Sequence, residues 1–210
     1  MRTRIIVMSK PPVAGLSKTR LAQAIGNDAA AALAARMLDH TLETARLAAV
    51  GTLELCVTPV PPHPALRAAA ARFGAVLRDQ GDGDLGQRMA RIALRVLADG
   101  EQPLILGSDC PALAPHHLQS AAHRLESHDA VLLPAFDGGY ALIGLREFDA
   151  RLFEAMPWST PEVMATTRER LHELGWSWWE GETLSDVDSA ADLDHLPKTW
   201  QGVAGPGRSR

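Results

Sequence analysis

The chain has 210 residues, 46% of them hydrophobic and 22% charged, with a formal net charge of −4. This length suits one α/β domain, expected over residues 1–200, burying roughly 70% of its unfolded surface. The acidic balance excludes general binding to nucleic acid or anionic membranes, so any phosphate binding has to be local. Cys56 and Cys110 are too few for a disulfide framework. With no apolar signal core behind Met1 and no run of transmembrane length, the expected location is the cytoplasm.

Ile5-Ile6-Val7-Met8 is a short β-rich run and the expected first strand. A Pro- and Gly-containing loop follows from Lys10 to Thr19, then a helix from about Asp28 to Ala49 with Leu33, Met37, Leu38, Leu42 and Ala45 on one face. Strands are expected at Thr52–Thr58, Ala75–Leu77, Leu104–Leu106, Ala130–Pro134, Ala141–Leu145 and Ser177–Trp179. Between them, helices are expected at Ala65–Phe73, Asp84–Leu97, Leu113–Leu125 and Pro161–Leu174. Such alternation implies a three-layer α/β/α domain with a mostly parallel, Rossmann-like sheet. Residues 201–210, rich in Gly and basic side chains, are expected to form a flexible tail.

Six segments carry residues with chemistry to offer. After the first strand, Lys10, Lys18 and Arg20 surround Gly15, and a strand-to-helix turn with cations and a glycine suits a phosphate. It is not a Walker loop, because Ser17 stands where a glycine should precede the lysine, and it lacks the G-x-G-x-x-G of dinucleotide folds. After the third strand, Gly83, Asp84 and Arg88 form either a ligand-contacting rim or a glycine turn with Asp84 capping a helix. Pro103 to Pro111 reads as a buried strand ending in Asp109. Carboxyl ends of strands form the ligand crevice of open α/β sheets, and a carboxylate there holds a divalent cation against phosphate, or caps the helix entered through Pro111 and Pro115.

Asp137, Gly138, Gly139 and Tyr140 form a hairpin signal that also suits an acceptor or sugar pocket. Trp158 lies on a loop entering a helix, with Ser159 or Thr160 as its cap and Pro161 in its first turn. Asp186 and Asp188 flank Val187 near the end of the chain, and either could supply a second metal carboxylate. His116 and His117 lack partners at zinc spacing, and Cys110 lacks a base.

In order along the chain stand K-x-P-x-x-G-x-x-K-T-R-L, G-x-G-D-L-G-x-R-M, G-S-D-C-P, D-G-G-Y-x-L-I-G, P-W-S-T and D-V-D-x-x-x-D-L. This set resembles the nucleotide-diphospho-sugar transferase (glycosyltransferase A-like) superfamily. It is most similar to a bacterial family of uncharacterised glycosyltransferase-like proteins associated with radical-SAM and selenodomain proteins. The first loop and the closing D-V-D-x-x-x-D-L also look like 2-phospholactate and molybdenum-cofactor guanylyltransferases. The chain departs from the L-x-A-G-x-G-x-R loop of sugar nucleotidyltransferases and from the D-x-D of many glycosyltransferases.

The resemblance implies Mg²⁺- or Mn²⁺-dependent transfer from a nucleotide or nucleotide-sugar donor to a small acceptor. Asp109 would be a metal ligand, and Asp188 or Asp186 a second. Lys10, Lys18 and Arg20 would offset phosphate charge, while Asp137, Tyr140 and Trp158 would shape the acceptor side. Glycosyl transfer is the favoured expectation; nucleotidyl transfer with release of pyrophosphate and a non-catalytic nucleotide-binding module are the alternatives.

Overall fold

A computed structural model describes residues 2–200; the expected tail at residues 201–210 lies outside the described residues. Among the described residues seven strands form one sheet in the order β3-β2-β1-β4-β6-β5-β7. They are β1 (Arg2–Ser9), β2 (Gly51–Val57), β3 (Val76–Asp79), β4 (Glu101–Leu106), β5 (Ala130–Pro134), β6 (Tyr140–Leu145) and β7 (Trp178–Glu180). Only β6 runs against its neighbours, pairing antiparallel with both β4 and β5.

Alternation along the strands sorts the core onto two faces. Ile5 and Val7 of β1, with Leu104 and Leu106 of β4, pack against α2 (Asn27–Ala48), α3 (Pro64–Phe73) and α5 (Pro115–Arg124). Ile6 and Ile105 point the other way, to α4 (Leu85–Ala98) and α6 (Val163–Glu173). Period-2 burial in the strands against 3.6-residue burial in the helices is what a sheet covered on both sides requires.

A third, smaller core decides where the end of the chain goes. Leu21 of α1 (Thr19–Ile25) and Leu33 and Met37 of α2 close over Val187, Leu196 and Trp200. Arg36 stacks on the Trp200 ring at 4.7 Å, and His40 meets it edge-on. The segment after β7 is thereby folded back along α1 and α2 and delivered to the carboxyl ends of β1 and β4.

One helix was not expected and two helix starts differ from expectation. Helix α1 precedes the expected helix, and Gly26 at φ 86° separates it from α2, which begins at Asn27 beside the expected Asp28. Helix α5 begins at Pro115, not Leu113, since Ala114 is extended and proline takes the first helical position. Helix α6 begins at Val163 because Thr160 Oγ1 donates to the Pro157 carbonyl and accepts from the Glu162 amide, making Pro157–Glu162 a turn.

Toward the amino ends of the strands, the buried Glu54 carboxylate meets Arg95 at 2.5 and 3.1 Å and Arg4 at 3.2 Å. Removing Glu54 takes away the carboxylate that Arg95 pairs with. Glu54→Ala is therefore expected to cost about 3 kcal/mol, on the low side because Arg4 keeps Asp99 and Glu101. Thermal melts should fall by on the order of 8 °C with ligand binding at the opposite edge unchanged.

Candidate active site

A cleft of about 910 Å³ opens along the carboxyl edge of the sheet. Its charged end is built from three chain segments. Lys18, the residue before α1, lies in the left-handed region at φ 49° with its side chain only 7% exposed. Its Nζ is 2.8 Å from Asp109 Oδ2 and 3.4 Å from Asp188 Oδ1. Arg20 reaches the other oxygen of Asp188 at 3.4 Å. The Val187 amide donates to the Asp109 carbonyl at 3.0 Å, tying the returning chain to the end of β4.

The cap readings at these positions separate cleanly. Asp109 does not cap α5, which starts at Pro115 behind Ala114; its carboxylate faces the cleft. Nor is Asp188 a cap, because Asp192 accepts from the Asp188 and Ser189 amides and the Ser189 hydroxyl. Burial works against the charge of Asp192, and those hydrogen bonds more than offset it, holding its carboxyl below the usual range.

Asp186 and Asp137 also line the cleft, and neither is in an ion pair among the described residues. Burial, and after it the charge of Asp137, pushes the Asp186 carboxyl above its ordinary value. The chain after β7 brings them together: the Leu184 amide donates to the Pro134 carbonyl and the Phe136 amide to the Leu184 carbonyl.

The opposite wall is apolar and aromatic. The expected hairpin turn joins β5 to β6, and the Asp137 carboxylate accepts from the Gly139 amide at 2.8 Å to close it. Gly138 sits at φ 89°, and a β-carbon there would come within 2.3 Å of the Pro161 carbonyl, so only glycine lets the two loops meet. Tyr140 and Trp158 pack edge to face at 6.3 Å, with Met89 beneath the phenol. Burial pushes the Tyr140 hydroxyl up, so it stays protonated.

The cleft lining includes Lys10, Lys18, Arg20, Asp109, Asp137, Gly139, Tyr140, Trp158, Asp186 and Asp188. Gly15, Gly83, Asp84, Arg88 and Gly138 are not among the lining residues. Asp84 is spent on a reciprocal cap with Gln87, and Arg88 holds the Gly83 carbonyl. Gln80 was missed. Its buried amide donates to the Ser9 and Cys56 carbonyls, fastening the ends of β1 and β2. Leu16 and Phe136, 76% and 71% exposed at the cleft mouth, were missed too; large apolar residues inside polar glycine loops were the available signal. Burial pushes the Cys110 thiol up to about 11, which agrees with an inert sulfur.

Among the described residues, three ligand-type side chains lie within 4.8 Å of one another at His116, His117 and Glu182, not at the aspartates. There His117 Nδ1 accepts from the Ala114 amide at 2.9 Å, and Nε2 donates to Glu182 at 2.5 Å. A metal at Nε2 would force the ring proton onto Nδ1, against the amide it caps. This corner is a helix cap.

Residues 41–160 match a family described as "Uncharacterized protein conserved in bacteria (DUF2064)". No curated protein matches in sequence. A Desulfovibrio desulfuricans G20 protein, provisionally assigned as a nucleotide-diphospho-sugar transferase, superposes with a TM-score of 0.86 at 29% identity, covering 96% of this chain and 89% of its own. CMP:2-keto-3-deoxy-manno-octonic acid synthetase, solved with CTP, gives 0.59 at 14% identity, with 93% and 96% covered. Glucosyl-3-phosphoglycerate synthase of Mycobacterium tuberculosis, solved with Mn²⁺, UDP and glucosyl-3-phosphoglycerate, gives 0.54 at 11%, with 92% and 75% covered. The fold is thus glycosyltransferase A-like, with neighbours among both nucleotide-sugar transferases and nucleotidyltransferases.

A carboxylate whose folded pKa is raised destabilises the fold at neutral pH, and that cost disappears as the pH falls through the raised value. Asp186→Asn is therefore expected to raise the melting temperature at pH 7.5 by on the order of 2 °C. Melts repeated at successively lower pH should show the gain shrinking; a gain that grows on acidification contradicts the assignment.

Proposed function

The chain belongs to the bacterial family DUF2064, and on that premise we propose a cytoplasmic, divalent-metal-dependent transferase using a nucleotide-activated donor, with glycosyl transfer from a nucleotide sugar to a small acceptor as the reaction. The observation carrying this reading is the convergence of Lys18, Arg20, Asp109 and Asp188 from three separate segments on one strand-end cleft.

The donor set fits a hard cation. Asp109, Asp186 and Asp188 offer carboxylate oxygens in one cleft, suited to Mg²⁺ or Mn²⁺, and burial together with the Asp137 charge disfavours ionised Asp186 more than the Lys18 charge favours it. When bound, the divalent ion supplies charge neutralisation on the diphosphate as it leaves. Lys10 and Arg20 would steer and orient the phosphates, a role that needs only position and charge. Tyr140 and Trp158 would hold the acceptor and exclude water from that wall. Among the described residues the cleft lining assembles no Ser/His/Asp or Cys/His nucleophile, in keeping with catalysis by orientation and electrostatics.

Nucleotidyl transfer is the second reading, favoured by three basic residues in the first loop. Against it stands the likeness to the Desulfovibrio protein provisionally assigned as a nucleotide-diphospho-sugar transferase.

A melting panel of nucleotide sugars and nucleoside triphosphates, with Mn²⁺ or with chelator, tests the proposal. A ligand at a hundred times its Kd adds about 2.7 kcal/mol, a rise of about 5–10 °C. Metal-dependent stabilisation by a nucleotide sugar, lost in Asp109→Ala, is the expected result. Pyrophosphate release with a nucleoside triphosphate would move the assignment to nucleotidyl transfer. Binding indifferent to metal, with no turnover of any donor, would make the protein a nucleotide-binding module. A melt that no ligand moves removes the transferase reading.

A further inference from the structure

Lys18 is held where it is at a cost. A residue with a β-carbon in the left-handed region carries backbone strain, and a nearly buried ammonium has given up most of its water. What offsets both is the pair of carboxylates it faces, Asp109 at 2.8 Å and Asp188 at 3.4 Å. These are two of the carboxylates that the proposed function assigns to a divalent cation. The lysine approaches from the protein side, whereas Asp109 and Asp188 are 51% and 44% exposed toward the cleft. An ammonium and a divalent ion cannot share those oxygens without strong mutual repulsion.

We propose that Lys18 is the resident counter-ion of the Asp109–Asp188 pair and is exchanged for the divalent cation. The ammonium holds the two segments in register before substrate arrives. It then leaves the carboxylates for the donor phosphates as the metal takes its place. The exchange makes metal bind weakly by itself and well with a phosphorylated donor, because the donor supplies the displaced ammonium with a new anion. This rests on the proposed metal-dependent function and adds to it an order of events: metal and nucleotide enter together. No covalent step is involved.

The test is calorimetric titration of the full chain with Mn²⁺ alone, no nucleotide present. Lys18→Met is expected to bind Mn²⁺ at least tenfold more tightly than the wild type. Lys10→Met removes the same charge from the same cleft without touching either carboxylate, and should change affinity less than threefold. Lys18→Arg, which keeps a cation in place, should stay within threefold of the wild type. Lys18→Gln repeats the first measurement should Lys18→Met melt early. Asp109→Asn placed on Lys18→Met should abolish the gain.

Equal gains from Lys10→Met and Lys18→Met would reduce the effect to bulk charge and overturn the exchange. So would Mn²⁺ binding that Asp109→Asn weakens but Lys18→Met and Lys18→Gln leave unchanged; in that case the metal reading survives without the exchange. Failure of every variant to bind Mn²⁺ overturns both.

Discussion

One hydrogen bond and one buried valine set the chemistry of this protein. The Val187 amide donates to the Asp109 carbonyl, and the Val187 side chain is fully buried among Leu21, Leu33 and Met37. Because neighbouring side chains in an extended segment point to opposite sides, burying Val187 turns Asp186 and Asp188 away from that core. The last functional segment is thus fixed by packing, while its charged groups remain free to act. Without the third core there would be a nucleotide-fold sheet and no second carboxylate wall.

The charges of the molecule are distributed between two different uses. Near the amino ends of the strands, Glu54 is satisfied by Arg95 and Arg4, and its partners are anchored again by Asp99 and Glu101. At the carboxyl edge the balance is left incomplete: Asp186 and Asp137 repel, and a lysine sits strained between two other aspartates. Completion at one end and frustration at the other is the pattern expected when stability and ligand binding are assigned to opposite edges of a sheet.

Much of the fold was legible because hydrophobic period and turn chemistry agreed in each segment. The strands at Leu104–Leu106 and Ala130–Pro134 were short apolar runs bounded by polar or small residues, and both lie in the sheet. Asp109 was legible as a strand-end carboxylate. Its partnership with Lys18 was not, nor was that of Lys18 with Asp188, 170 positions away, since the pairing of β1 with β4 brings the first two loops together and the third core brings the last segment to them. The glycine loop at residues 81–86 misled in a physical way. A ligand rim and a capped helix start use the same residue types, and at Asp84 the cap takes the carboxylate. The reversal of β6 left no mark in composition, because a strand buried on both faces reads the same in either direction.

That reversal shapes how the cleft could diversify. Running backward between β4 and β5, strand β6 carries the chain away from the active edge, and residues 146–161 must climb back to place Trp158 against Tyr140 and Pro161 against Gly138. The aromatic wall of the cleft is consequently one continuous stretch, from Pro134 to Pro161, whereas the charged wall is stitched from three distant ones. Insertions or replacements within that single stretch can reshape the aromatic wall while the charged wall stays intact, so relatives on this scaffold can differ in one wall and share the other.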